Sequence, residues 1–300
     1  MNALTLLSQV VTPWTRDSDR VDLKGRVAFV TGAAQGIGFA TAEALVARGA
    51  RVVVVDVEGD ALEKAVTALG SQAAHGVTAD VRDRHAMADA VAEAVSRFGR
   101  IDVVVANAGV TPPPATLRCV DLDDFDRVIA INLTGVVNTV KPALEQVIEH
   151  GGHVVVVSSV AAFAPGFGGA SYAASKAGVE QVGRALRIEL GSTGATAGVA
   201  YFGVVDTALV KHALDDDPLG HRVDRLMPAP IRHRITAARA AEVLVDGIVN
   251  RSARTIAPSA WEPYSLFREV LNRQLDNLFR SDPRVQDIVQ AVERRRRAMR

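Results

Sequence analysis

Val-Ala-Phe-Val-Thr-Gly-Ala-Ala-Gln-Gly-Ile-Gly, residues 27–38, is the stretch whose reading decides the fold. Its first part, Val27–Thr31, is a continuous apolar run. A strand with one solvated face would alternate apolar and polar, so this one is read as covered on both sides. Gly32, Gly36 and Gly38 follow at once, and a helical pattern opens behind them at about 37–48. Glycines there permit a tight turn and let backbone approach a pyrophosphate, whose charge is favoured at a helix N-terminus. The spacing is Gly-x3-Gly-x-Gly, not the commoner Gly-x-Gly-x2-Gly. A glycine loop alone is weak; one placed between strand and helix is strong.

Outward from this unit the same alternation repeats. Arg51–Asp56, Ile101–Ala106, His153–Ser158 and Ala195–Tyr201 read as further buried strands, with Ala73–Thr78 the least marked and Arg254–Ala257 a last one. Helical patterns fall between them at about 59–69, 84–98, 123–149, 171–190 and 237–250. Such regularity predicts right-handed crossovers and an α/β fold: a Rossmann-type doubly wound parallel sheet of about seven strands with helices on both faces. With no internal repeat and no low-complexity linker, 23–257 reads as one domain. Residues 1–22 form an N-terminal extension, and 258–300 a C-terminal one carrying Trp261, Tyr264, Phe267, Leu271, Leu275, Leu278 and Phe279 at helical spacing. That stripe predicts a helix packed on the domain or on another subunit.

Composition narrows the function classes. At 48% hydrophobic and 23% charged, the 300 residues can bury a full core. Thirty-four basic side chains balance thirty-four acidic ones, which argues against broad phosphate neutralisation on a nucleic acid. Cys119 is the single cysteine, so the chain has no intramolecular disulfide and fits a reducing cytoplasm. Met1–Val11 lacks the basic flank and long apolar run of a signal peptide. No stretch approaches the ~18 apolar residues of a membrane span. The seven histidines form no ligand pair on a shared helix face, so no metal is expected.

Two further sites carry chemistry. Asp56 ends the second strand, 18 residues past Gly38. A carboxylate there accepts hydrogen bonds from adenosine ribose hydroxyls and repels a 2′-phosphate, and Ala34 and Gln35 offer no compensating cation. NAD is therefore expected over NADP. Tyr172 and Lys176, in Ser-Tyr-Ala-Ala-Ser-Lys (171–176), stand one helical turn apart and share a face. An ammonium beside a phenol lowers its pKa and makes Tyr172 a proton donor and acceptor near neutral pH. With three tyrosines and five lysines in the chain, chance would supply such a pair with odds of about 5%.

With these residues in place, about 24–257 resembles a short-chain dehydrogenase/reductase. Thr31, Gly32, Gly36, Ile37 and Gly38 match that family's cofactor glycines, and Gln35 lies in the same loop. Asp80 and Val81 match the pair placed beside the adenine. Ala106-Asn107-Ala108-Gly109 matches the motif after the fourth strand, usually Asn-Asn-Ala-Gly. The catalytic tetrad maps as Asn132, Ser159, Tyr172 and Lys176. Ser159 lies the expected 13 residues before Tyr172, and its neighbour Ser158 is the competing assignment. One departure stands out: Phe202 replaces the proline usual after the sixth strand, while Gly203 and the nicotinamide-contacting Thr207 are retained.

The resemblance implies an NAD-dependent oxidoreductase that interconverts a secondary alcohol and a ketone. In that scheme Tyr172 exchanges the hydroxyl proton, Lys176 lowers its pKa and binds the nicotinamide ribose, and Ser159 holds the substrate oxygen. Asn132 orders a water between Lys176 and solvent. The segment at about 207–235 is expected to form a lid over the substrate, with Leu209, Val210, Leu214, Leu219, Leu226 and Met227 beside an acidic cluster at Asp215–Asp217. Phe163, Phe167 and Phe202 would add apolar wall. An apolar small molecule of steroid, terpenoid or fatty-alcohol type is the expected substrate. Family members commonly pair helices of the 123–149 and 171–190 type, which predicts a dimer or tetramer; Ala170, Ala173, Ala174, Ala177 and Gly178 are small enough for that approach. Two alternatives remain: a non-catalytic dinucleotide-binding sensor or scaffold of the same fold, and a membrane- or nucleic-acid-associated protein that binds phosphates through Arg294–Arg297.

Overall fold

Valine-rich runs build the centre of the molecule. In the computed structural model, which describes residues 20–164, 166–211, 215–226 and 232–298, seven parallel strands form one sheet. They are β1 (Val27–Thr31), β2 (Arg51–Asp56), β3 (Ala74–Thr78), β4 (Val103–Ala106), β5 (His153–Ser159), β6 (Thr196–Phe202) and β9 (Arg254–Ala257). Their order is β3-β2-β1-β4-β5-β6-β9, so the winding reverses between β1 and β4. A second parallel pair, β7 (Val205–Asp206) and β8 (Ile235–Thr236), sits apart.

The lack of alternation in the strands follows from two cores. Val27, Phe29, Val53, Val55, Val104 and Val154 face one side, against α3 (Arg84–Phe98), α5 (Gly135–Glu149) and α6 (Ala170–Glu189). Their neighbours Ala28, Val30, Val52, Val54, Val103 and Val155 face the other, against α1 (Gly36–Ala47), α2 (Gly59–Leu69) and α8 (Ala237–Val249). Each fully buried side chain of this size contributes roughly 1.5–3 kcal/mol. Register at the foot of the sheet is fixed by Asp102, whose carboxylate, 1% exposed, accepts from the Val27 amide at 2.9 Å, Arg26 at 2.5 Å and Arg100 at 2.9 Å. Val21 and Leu23 are also in the core, with Val21 N–H bonded to Val249 O, so the packed unit begins before residue 23.

Several expected boundaries move. The fourth strand starts at Val103, the fifth includes Ser159, and the sixth runs from Thr196 through Phe202. The helix expected over 123–149 is not continuous: α4 (Leu122–Ile129) passes into a π-helical turn, Ala130–Thr134, before α5 begins. Within the 207–235 segment are a single helical turn at Ala208–Val210 and α7 (Pro218–Leu226). Leu214 and Met227 lie outside the described residues.

After β9 the chain forms two helices, α9 (Glu262–Ser281) and α10 (Pro283–Ala298). Ile288 and Val292 of α10 pack with Ala115, Cys119, Phe167, Leu219, Val223 and Leu226, which ties α10 to α7. Three arginines of the run each reach a carboxylate: Arg295 holds Asp217 at 2.7 Å, Arg296 reaches Asp124 at 3.6 Å, and Arg294 reaches Asp287 at 3.9 Å. Those pairs oppose the phosphate-binding alternative. Gly178 is small because Leu133 of the same chain fills the space where its Cβ would be. Among the described residues, no helix is long and apolar enough to cross a membrane.

Candidate active site

Parallel strands point their carboxyl ends the same way, and a crevice opens where the winding reverses. Here it is a cleft of about 450 Å³ that gathers residues from all the predicted motifs: Gly32, Gln35, Gly36 and Ile37; Asp56; Asp80 and Val81; Asn107, Ala108 and Gly109; Ser159, Tyr172 and Lys176; Gly203 and Thr207. Two predicted residues lie behind this surface. Gly38 packs in α1, where a Cβ would run into Gly32 O and stand 2.6 Å from Asn107 Nδ2. Asn132, fully buried, lies in the π-turn.

The glycine loop is cut to receive something large. Gly32 has φ +63°, and a Cβ on it would come within 2.7 Å of Ala108 Cα. Asn107 pins the loop by donating from Nδ2 to Thr31 O and Gly32 O, both at 3.0 Å. No side chain caps the first turn of α1, leaving its amides to meet an anion. Asp56 is half structural: Oδ2 accepts from the Ala34 amide at 3.0 Å, and Oδ1 accepts from Val57 N at 2.8 Å. Asp80 is paired with Arg82 at 2.5 Å, and that bond, more than any other cause, holds its carboxyl below the usual range. Thr207 caps its one-turn helix and lies across from Gly36, at 3.6 Å from where a Cβ there would be.

The proton-handling end is built by β5 and α6. Adjacent serines on a strand point opposite ways. Ser158 Oγ turns inward and donates to Lys176 O at 2.8 Å, whereas Ser159 lines the cleft together with Tyr172. Ser159 Oγ also donates to Phe202 O at 3.2 Å. Lys176 is 4% exposed and donates to Val157 O at 3.0 Å, with its Nζ 5.7 Å from the Tyr172 ring centre. Burial pulls the ammonium down to about 8. For Tyr172 the direction runs against the expected one: burial pushes its hydroxyl up, and the Ser159 hydroxyl offsets only part of that. The phenol is desolvated, while Lys176 is occupied with Val157 O and is itself easier to deprotonate.

The Asn132 side chain is engaged by protein partners. Its Nδ2 donates to Val110 O at 2.9 Å and to Ser175 Oγ at 3.1 Å, and its Oδ1 accepts from Val110 N at 2.8 Å. Both amide hydrogens are thus used in clamping the segment after β4 to α6. Phe163 and Phe167 do not line the cleft: Phe163 joins Tyr201, Trp261 and Tyr264 in an aromatic cluster, and Phe167 meets Phe279. Phe202 does lie in the wall, buried, with its carbonyl toward Ser159. Arg127 and Ile131, one turn apart on α4 and its π extension, also border the cleft; their spacing marks a shared face, but nothing in sequence alone pointed it here.

A glycine-loop cleft at the winding reversal, leading to a desolvated Tyr–Lys pair beside a serine, defines a dinucleotide-dependent oxidoreductase of the Rossmann class. Comparison with known proteins narrows this. A family model described as short chain dehydrogenase matches residues 26–218. The chain is 42% identical over 188 residues, 62% of its length and 75% of the relative, to cis-4-hydroxycyclohexanecarboxylate dehydrogenase of Sinomonas cyclohexanicum. It is 40% identical over 197 residues, 63% of its length and 72% of the relative, to 1-deoxy-11-beta-hydroxypentalenate dehydrogenase of Streptomyces avermitilis. Among solved structures, levodione reductase superposes with TM-score 0.72 at 28% identity, covering 78% of this chain and 96% of that one. The chain belongs to the short-chain dehydrogenase family, oxidoreductases that interconvert alcohols and ketones with a nicotinamide dinucleotide.

Proposed function

We propose that this chain is an NAD-dependent dehydrogenase that interconverts a secondary alcohol and a ketone on an apolar, ring-bearing small molecule. One observation carries the reading: the Ser159 hydroxyl and the Tyr172 phenol meet at the wall of the glycine-loop cleft, with Lys176 buried directly behind. Residues fit the dinucleotide at each end. The Gly32 and Gly36 turn and the uncapped α1 amides suit the pyrophosphate, Asp56 suits free ribose hydroxyls and opposes a 2′-phosphate, and Asn107–Gly109 with Thr207 suit the nicotinamide half. When bound, the nicotinamide supplies the hydride acceptor or donor.

The protein's own part is the proton. Ser159 holds the substrate oxygen in reach of Tyr172 Oη, which takes the proton in oxidation and returns it in reduction. Lys176 is the next proton-bearing group inward, and its depressed pKa suits a relay that discharges near neutral pH. Asn132 positions this pair by fixing Val110 and Ser175. Val110, Phe202, Val205, Ala208 and Val210 give the substrate end an apolar wall. The two relatives act, by their names, on hydroxyls of a cyclohexane and of a pentalenate, which supports an alicyclic alcohol. A cytoplasmic site of action is part of the same proposal, since the reduced dinucleotide pool is there.

The test is a screen of NAD⁺ and NADP⁺ reduction against alicyclic, steroidal and aliphatic secondary alcohols. Tyr172→Phe should lower kcat by a factor of about 10²–10⁴ while NADH binding, read by fluorescence titration, stays within twofold. Ser159→Ala should follow Tyr172→Phe, and Ser158→Ala should not. Turnover indifferent to Tyr172→Phe would remove the proposed acid/base.

A further inference from the structure

Tyr172 stands in the first turn of α6, and that turn has no side chain of its own to hold it. The residue before the helix is Gly169, which offers no cap. The amides of Ser171 and Tyr172 fall at the two positions that a cap ordinarily satisfies. Helix α10 reaches this spot through the segment 115–124. Ala115, bridged to Gly169, packs with Ile288 and Val292 of α10. Glu293 accepts from Thr116 Oγ1 at 3.1 Å and from Arg118 at 3.2 Å. Arg296 faces Asp124 at 3.6 Å, within ion-pair range but too far for a hydrogen bond. Both border a void of about 10 Å³, together with Phe125, Ala170 and Ser171. That is the room one water needs. Arg296 Nη2 is buried without a hydrogen-bond partner. The hydroxyl of Ser171, a residue only 3% exposed, has no partner among the described residues.

We propose that Arg296 and Asp124 supply the missing cap of α6 through one water in that void, so that α10 positions Tyr172. A helix N-terminus favours negative charge, and an arginine alone would oppose it. Paired with Asp124 it does the reverse, because it holds a carboxylate over the first turn. A water there accepts from Arg296 Nη2 and from a first-turn amide, and donates to Asp124 and to Ser171 Oγ. All four of its hydrogen-bonding positions are then used, and both unpartnered groups are satisfied. Ser159 belongs to β5 and does not move with the start of α6. Ser158 ties Lys176 O to the same strand, so loss of the cap loosens the first turn while the second stays in place. Tyr172 would shift against Ser159. The catalytic consequence rests on the role given to Tyr172 above; the cap itself does not.

The experiment is amide hydrogen exchange on the full chain, read by mass spectrometry, beside steady-state kinetics. Arg296→Ala should speed exchange over 170–176 about threefold to tenfold, the effect of one lost cap, and leave α1 and α5 unchanged. Millimolar guanidinium should restore protection, and urea, of the same shape without the charge, should not. In the same variant kcat should fall by about that factor while the KM for NAD⁺ stays within about twofold, and guanidinium should recover it. Asp124→Ala should match Arg296→Ala, and the double variant should be no worse than either, since both act through one water. Arg294→Ala, on the same helix, should change neither readout. Unaltered exchange in Arg296→Ala, faster exchange throughout the chain, additive losses in the double variant, or no rescue by guanidinium would overturn the proposal. So would faster local exchange with undiminished kcat, because the cap would then not position Tyr172. A wild type without turnover would remove the reaction proposed above and leave exchange to decide the cap.

Discussion

Lys176 carries an ammonium where burial resists one, and its pKa near 8 has a consequence for stability. Between pH 8 and the ordinary lysine value of about 10.4, the unfolded chain holds a proton there that the folded chain has released. Stability therefore rises with pH across that window, and below pH 8 the full cost of the buried charge is present. In the cofactor-free protein, Lys176→Met should gain thermal stability relative to wild type most at pH 7, with the gain shrinking as pH approaches 10. Paired melting curves from pH 7 to 10 would show it; a difference independent of pH would mean that Lys176 titrates normally. Much at this scale was legible in the chain, because helical spacing joins Tyr172 to Lys176 and the family's offset to the tyrosine favours Ser159 over Ser158. The direction of the Tyr172 shift was not. That direction depends on how deeply the phenol sits and on Lys176 having Val157 O as its partner, neither of which a four-residue offset encodes.

At the scale of elements, the sheet was readable because its strands are covered on both faces, and uninterrupted Val runs leave few other placements. The π-turn at Ala130–Thr134 was hidden, since Ala-Ile-Asn-Leu-Thr keeps a helical pattern through the turn. Its value is positional: one wide turn brings Asn132 to Val110 and Ser175. The loop after β6 shows the reverse case, where family pattern and packing disagree. Phe202 extends the strand, and Gly203 is then pressed by Trp261, whose Nε1 would lie 2.6 Å from a Cβ at that position. Gly203→Ala should cost about 1–3 kcal/mol through overpacking, a Tm drop of about 2–4 °C per kcal/mol in a chain of this size. Trp261→Phe in the same background should recover part of it. Scanning calorimetry decides, and a Gly203→Ala chain that melts with wild type would place the indole elsewhere.

The whole molecule is a dehydrogenase sheet with two C-terminal helices strapped to it, α9 against Phe163 and Glu180 and α10 against α7. The aromatic stripe of 258–300 was visible, but its division into a latched face and a bare face was not, because Phe163, Phe167 and Glu180 lie about a hundred residues upstream. Two partners of the arginine run were hidden for the same reason, since Arg295 and Arg296 reach back to Asp217 and Asp124, whereas Arg294 reaches Asp287 within α10. Arg295 binds both oxygens of Asp217, the residue just before α7, so α10 holds the segment that is proposed to cover the substrate. Arg295→Ala should raise the KM for the alcohol about threefold to tenfold, in line with about 1 kcal/mol for a partly exposed bidentate pair, and leave the KM for NAD⁺ unchanged. Equal shifts in both constants would point to a general loss of folded protein instead.

The contact between Trp261 and Gly203 also makes the protein its own gauge. The chain has only two tryptophans, Trp14 and Trp261. The second has its indole buried against a glycine that lines the cleft. In a Trp14→Phe background every ultraviolet-excited indole photon would originate one backbone thickness from the site. A reduced nicotinamide lodged there would quench that emission and re-emit in the blue. Occupancy of the cleft could then be followed optically, without a label and without turnover.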